Sequence, residues 1–155
     1  MTDAADQTGP TGLEVMQAFA DSGGRGAGIG VTFGMRPTEV SRGRIVFEAT
    51  PTKAFYNPLG TVHGGFAATL LDSCLGCAVH TTLGPGVGYT TVDLNVTYLK
   101  AMTDQTGPVR AIGEVIQSGR RIATAQARLV DAEGRLYATG TTTCLILEPR
   151  GSRAG

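Results

Sequence analysis

The residues best suited to chemistry in this 155-residue chain fall between Asn57 and Asp72. Asn57-Pro58-Leu59-Gly60-Thr61-Val62-His63-Gly64-Gly65 reads as a loop that turns at its glycines into an apolar helix ending near His80. Asp72 is the only charge between Gly64 and Val79. An unpaired carboxylate among apolar neighbours costs several kcal/mol, or shifts its pKa, so Asp72 is expected to have a task. Gly64 and Gly65 weaken a helix start unless another group must approach it closely. The first amides of a helix lack intrahelical acceptors and carry the positive end of its dipole, which suits them to an oxyanion. Gly64 and Asp72 are eight residues apart, roughly 12 Å along the axis, too far to serve one carbonyl from the same helix. If the amide polarises a carbonyl and the carboxylate acts on it, two antiparallel copies of the helix must supply them. The expectation is therefore a homodimer with composite sites.

The same helix carries Cys74-Leu75-Gly76-Cys77 with His80 three residues on. Redox pairs of this spacing work at helix starts, where thiolates are stabilised, and these cysteines come late among apolar neighbours. Zinc would need a fourth ligand and polar support. Core packing is the expected role, with no metal and no cofactor.

Around this unit the elements follow in order. Thr11 and Glu14 form a capping-box pattern, and Leu13, Met16, Phe19 and Ala20 recur at helical spacing, giving a helix over about 12–21. Glycines from Gly23 to Gly28 end it. Ile29–Phe33 and Arg44–Ala49 read as two strands of a hairpin joined near Ser41-Arg42-Gly43. After the break at Leu83–Gly86, Val92, Leu94, Val96 and Tyr98 alternate with Thr91, Asp93, Asn95 and Thr97, giving a strand with one packed and one polar face. Val109–Gln117, Ile122–Val130 and Leu136–Leu147 follow as strands, separated by turns at Ser118-Gly119 and Asp131–Gly134. One long helix followed by consecutive hairpins indicates an α+β domain, its antiparallel sheet wrapped around the buried helix. A single domain over 11–148 is expected, with flexible tails at 1–10 and 149–155.

Thirteen Lys and Arg balance thirteen Asp and Glu, which points away from nucleic acid and from an anionic membrane surface. The opening residues lack an apolar leader, and the stretch from Phe66 to Val79 is too short to span a bilayer. Three cysteines make no small disulfide framework. A cytoplasmic protein with a small ligand is the expectation.

Asn57, the His63-Gly64-Gly65 triplet, Asp72 and the run Thr91–Tyr98, in that order, resemble the acyl-CoA thioesterases of the PaaI type, in the thioesterase superfamily of hot-dog fold. The resemblance spans roughly residues 45 to 147. It implies hydrolysis of an aryl- or medium-chain acyl-CoA to free acid and CoA. The Gly64 amide would polarise the thioester carbonyl, and Asp72 of the facing subunit would act as nucleophile or general base. Residue types leave those two roles open, with general-base hydrolysis preferred. Asn57 would position the carbonyl or water, and His63 would brace the helix start. Thr91 would supply a hydroxyl, with Thr90 beside it blurring the assignment. Gly65, Leu59, Phe66, Leu70 and Tyr89 would line the acyl site, and Arg120 and Arg121 would reach CoA phosphates. Relatives often pair such dimers into homotetramers.

Two other readings share these residues. A hot-dog hydratase or dehydratase would use a His with an acid, but two glycines follow His63 and Asp72 comes nine residues later on the same helix. A non-catalytic acyl-CoA binding module would share the pocket, yet it would gain little from a buried acid.

Overall fold

The computed structural model describes residues 8–26 and 28–148, so the expected tails, apart from 8–10, lie outside the described residues. Two helices come first, α1 (Gly12–Asp21) and α2 (Ile29–Phe33), then the hairpin β1 (Arg36–Ser41) and β2 (Arg44–Ala49). A 3-10 turn at Lys53–Phe55 precedes the long helix α3 (Gly64–His80). Strand β3 (Gly88–Tyr98) and the meander β4 (Val109–Ser118), β5 (Ile122–Asp131) and β6 (Leu136–Leu147) complete the domain; β3 forms no hairpin with β4 and pairs instead with β6. All pairings are antiparallel and the sheet order is β1-β2-β4-β5-β6-β3.

The inner face of this sheet holds α3. Phe66, Leu70, Leu71, Leu75 and Val79 are essentially inaccessible, and they pack against Ile45 and Phe47 of β2, Val109 and Ala111 of β4 and Leu129 of β5. Each such side chain contributes about 2 kcal/mol by leaving water. Along β5, buried Ala123, Ala125 and Ala127 alternate with Thr124, Gln126 and Arg128. Small inward residues at the middle of the sheet let the helix sit close to it. Helix α1 has the expected capping box: Thr11 Oγ1 accepts from the Glu14 amide at 3.3 Å, and Glu14 Oε2 accepts from the Thr11 amide at 2.7 Å.

Three local expectations are corrected. Ile29–Phe33 is a short helix, and the first strand of the hairpin is Arg36–Ser41. Gly28 and Gly34 bracket that segment at φ 106° and 63°, and the Phe33 ring stacks on Phe55 at 5.0 Å, so tertiary packing outweighs the strand preference of Ile, Val and Thr. In β3 the register shifts between Thr91 and Asp93, which turns Val92 out to 61% exposure. Leu94 and Val96 are half-buried, while Tyr98 is exposed and folds over the start of α3. Finally, α3 is not covered on every side by the described residues. Ala68, Thr69, Asp72, Ser73, Cys77 and His80 form a half-exposed stripe, because one sheet covers only one side of a helix.

Candidate active site at the start of helix α3

The sequence before α3 folds into a loop held by Asn57. Its Oδ1 accepts from the Leu59 amide at 2.9 Å and the Thr61 amide at 3.3 Å, and its Nδ2 donates to Thr61 Oγ1 at 3.1 Å. The loop is tied down where the His63 amide donates to Phe55 O at 2.7 Å and the Val62 amide to Met102 O at 2.9 Å. His63 is then the N-cap of α3, an unusual one, since its Nδ1 accepts from the Gly65 amide at 2.8 Å. A ring nitrogen that accepts carries no hydrogen, so the neutral ring holds its proton on Nε2.

That capping bond separates the two glycines. The Gly65 N–H is spent on His63, whereas the Gly64 N–H has no acceptor among the described residues. The open donor at the positive end of α3 is therefore Gly64. Over it lies Tyr98, whose hydroxyl donates to Gly64 O at 3.0 Å. A Cβ on Gly64 would come within 3.0–3.1 Å of three atoms of that side chain. Glycine lets the Tyr98 ring lie this close; a side chain would push it back by a few tenths of an ångström.

Two turns further along, Asp72 lies on the half-exposed stripe, and Thr91 Oγ1 donates to its Oδ1 at 3.2 Å. Of the adjacent threonines, Thr91 is thus the one that meets Asp72. Thr90 pairs with Leu145 and is exposed. Tyr89 packs farther along α3, against Gly76, with its ring 5.5 Å from that of His80. Burial pushes the Cys77 thiol up to about 11 and also raises the hydroxyl of Tyr89. Cys74 is fully buried, its thiol also raised by burial, and it donates to Ile45 O at 3.3 Å and Ala111 O at 3.1 Å. Cys74 is a core thiol and Cys77 a partly buried one beside it, and burial holds both away from the thiolate form that redox chemistry needs.

The remaining candidates separate. Leu59 projects from its loop at 89% exposure. Phe66 is buried against Phe55 and Phe33, at centroid distances of 5.1 and 6.0 Å, and Leu70 belongs wholly to the core. Arg120 and Arg121 are exposed in the β4–β5 turn. Since Ile122 and Thr90 both pair with Leu145, that turn shares the Tyr89 end of the sheet, and Gly64 and Tyr98 lie at the other.

Two clefts flank the start of α3. One, of about 330 Å³, is lined by Phe33, Phe55, Tyr56, His63, Phe66 and Thr69. The other, of about 340 Å³, is lined by Gly64, Ala67, Tyr98, Lys100, Met102 and Tyr137. Tyr98 is the neighbour of the site that the sequence reading missed. A tyrosine closing an alternating strand signals packing, and only the tertiary fold brings it over Gly64.

An unpaired helix-start amide and a carboxylate with a hydroxyl donor are groups that can act on an acyl carbonyl. The thioesterase superfamily profile matches residues 59–138, just over half of the chain and all of α3 and β3. Human acyl-coenzyme A thioesterase 13 is 32% identical over 105 residues, covering 65% of this chain and 71% of the relative. A Halobacterium salinarum protein named as an esterase is 37% identical over 89 residues, which is 52% of this chain and 57% of that relative's length. Among solved structures, a phenylacetic acid degradation-related protein from Ralstonia eutropha JMP134, titled as a thioesterase, superposes with a TM-score of 0.75 at 26% identity, covering 84% of this chain and 98% of the other. Fold and profile together define a hot-dog thioesterase, and the chain belongs to the thioesterase superfamily.

Proposed function

We propose that this chain hydrolyses acyl-CoA thioesters as a homodimer, each site taking the Gly64 amide from one subunit and Asp72 from the other. The observation that carries this reading is the pairing of an open Gly64 N–H with a half-exposed Asp72 on the same helix, too far apart to act together within one chain. An edge strand supports it: among the described residues β3 pairs only with β6, which leaves its outer side bare beside the half-exposed stripe of α3. Such an edge invites a second copy.

In this mechanism the thioester oxygen accepts from the Gly64 N–H. The Asp72 carboxylate takes a proton from water as the water oxygen attacks the carbonyl carbon. Negative charge collects on the former carbonyl oxygen, where the helix-start amide stabilises it. The C–S bond then breaks, and the CoA thiolate leaves with the proton that Asp72 held. Thr91 donates to Oδ1 of Asp72 and so leaves Oδ2 for water. Asn57 holds the loop that carries His63, and His63 fixes the first turn. Arg120 and Arg121 would meet CoA phosphates from their exposed turn. The aromatic walls of the cleft beside His63 favour a compact aryl or medium-chain acyl group.

Thiol release from phenylacetyl-, hexanoyl- and palmitoyl-CoA tests the reading. The wild type should release CoA from the first two, and Asp72→Ala should lose about 100-fold or more of that rate while keeping its fold. Binding of these esters without release would make the protein an acyl-CoA binding module instead.

A further inference from the structure

The peptide unit between Gly64 and Gly65 is gripped at both ends. Its carbonyl oxygen accepts from the Tyr98 hydroxyl at 3.0 Å, and its N–H donates to His63 Nδ1 at 2.8 Å. The Tyr98 side chain also lies so close over the Gly64 α-carbon that an added Cβ would press on its ring at 3.0–3.1 Å. Two successive glycines in the first turn of a helix have the widest choice of backbone angles and no i−4 acceptors to limit it. The peptide that carries the Gly64 N–H is held on one side, where the Phe66 amide donates to His63 O at 3.0 Å. With the following peptide plane held by hydrogen bonds on opposite edges, the backbone of Gly64 is fixed from both sides, and with it the direction of its own free N–H.

Resting on the thioesterase reading above, we propose that Tyr98 is a positioning residue for the Gly64 oxyanion donor. It acts through the Gly64–Gly65 peptide, with His63 as the opposite jaw. The value of a preorganised donor lies in its alignment before charge develops, and misplacement of about 1 Å can cost on the order of 100-fold. Loss of one jaw should therefore slow the chemical step and leave ester binding alone. The tyrosine is the last residue of β3, the edge strand, which ties the direction of the donor to the position of that strand.

Tyr98→Phe keeps the ring over Gly64 and removes only the hydroxyl. For hydrolysis of phenylacetyl-CoA it should lower kcat about tenfold with KM within about twofold of wild type, and exchange of the Gly65 amide, which is bonded to His63, should quicken. Unchanged kcat with unchanged amide exchange would overturn the proposal, as would a rise in KM alone. If the wild type releases no thiol from any ester, the thioesterase reading fails by itself. The amide measurement on wild type and Tyr98→Phe then still decides whether the hydroxyl holds the turn, and equal exchange in the two would overturn it. Tyr98→Ala, which also uncovers the α-carbon, should show a larger increase in exchange than Tyr98→Phe.

Discussion

At the residue scale, the central feature is a division of labour between neighbouring amides and neighbouring threonines. His63 takes the Gly65 N–H and leaves that of Gly64 open. Thr91 reaches Asp72, whereas Thr90 points to the other side of the sheet. Thr91→Val keeps the shape of the strand and removes one hydrogen bond to a carboxylate. It should lower kcat by about three- to tenfold, since a bond to a charged group is worth on the order of 1.5–3 kcal/mol and only part of it bears on the reaction. Steady-state kinetics with the denaturation midpoint measured alongside would check this, and an unchanged kcat would remove Thr91 from the site. Asp72 and Gly64 stood out in the sequence because a lone charge and a glycine pair break the local apolar pattern. Neither the Thr91 contact nor the Tyr98 cover was legible in the same way. Both arise from the register of β3 against its neighbours, which a bulge at Thr91/Asp93 shifts.

At the element scale, α3 and the strands after it are legible in the chain with nearly their observed limits, whereas the pairing of β3 with β6 across the sheet is not. The signals of these elements are local: a capping His-Gly-Gly start, an apolar run of helical length, and turns at Gly119 and Gly134 between alternating strands. Segment α2 was misread because Ile-Gly-Val-Thr-Phe has the composition of a strand, and its helical state depends on Phe33 meeting Phe55 and Phe66 from distant parts of the chain. The far end of α3 offers a pH test. His80 sits in the last turn, where the helix dipole favours a cation, yet desolvation holds its pKa below the ordinary histidine value. The folded state thus binds fewer protons than the unfolded chain in that interval. The stabilising contribution is complete above the unfolded value of about 6.5 and is lost as pH falls through the lower folded value. Urea midpoints should hold between pH 7 and 8 and decline below about 6.5. His80→Gln should flatten that decline, and an identical pH profile in the variant would assign it to other groups.

At the scale of the whole molecule, the single chain is incomplete in two matching ways. Among the described residues, strand β3, eleven residues long, has no partner on its outer side, and the Asp72 stripe of α3 is half-exposed. A two-fold dimer through that edge would cover both features and bring the Gly64 end of one helix toward Asp72 of the other. No helix among the described residues is long and apolar enough to cross a membrane. The most direct test of the composite site is complementation between two inactive chains. Asp72→Ala removes the proposed base, and Gly64→Pro removes the open N–H at a first-turn position that accepts proline, with His63 already extended before it. Each variant alone should be inactive on phenylacetyl-CoA. Equal amounts unfolded and refolded together should regain about a quarter of wild-type activity, because half of the random dimers carry one intact site of two. No recovery, with both variants folded and heterodimers detected, would mean that Gly64 and Asp72 do not meet across a subunit boundary.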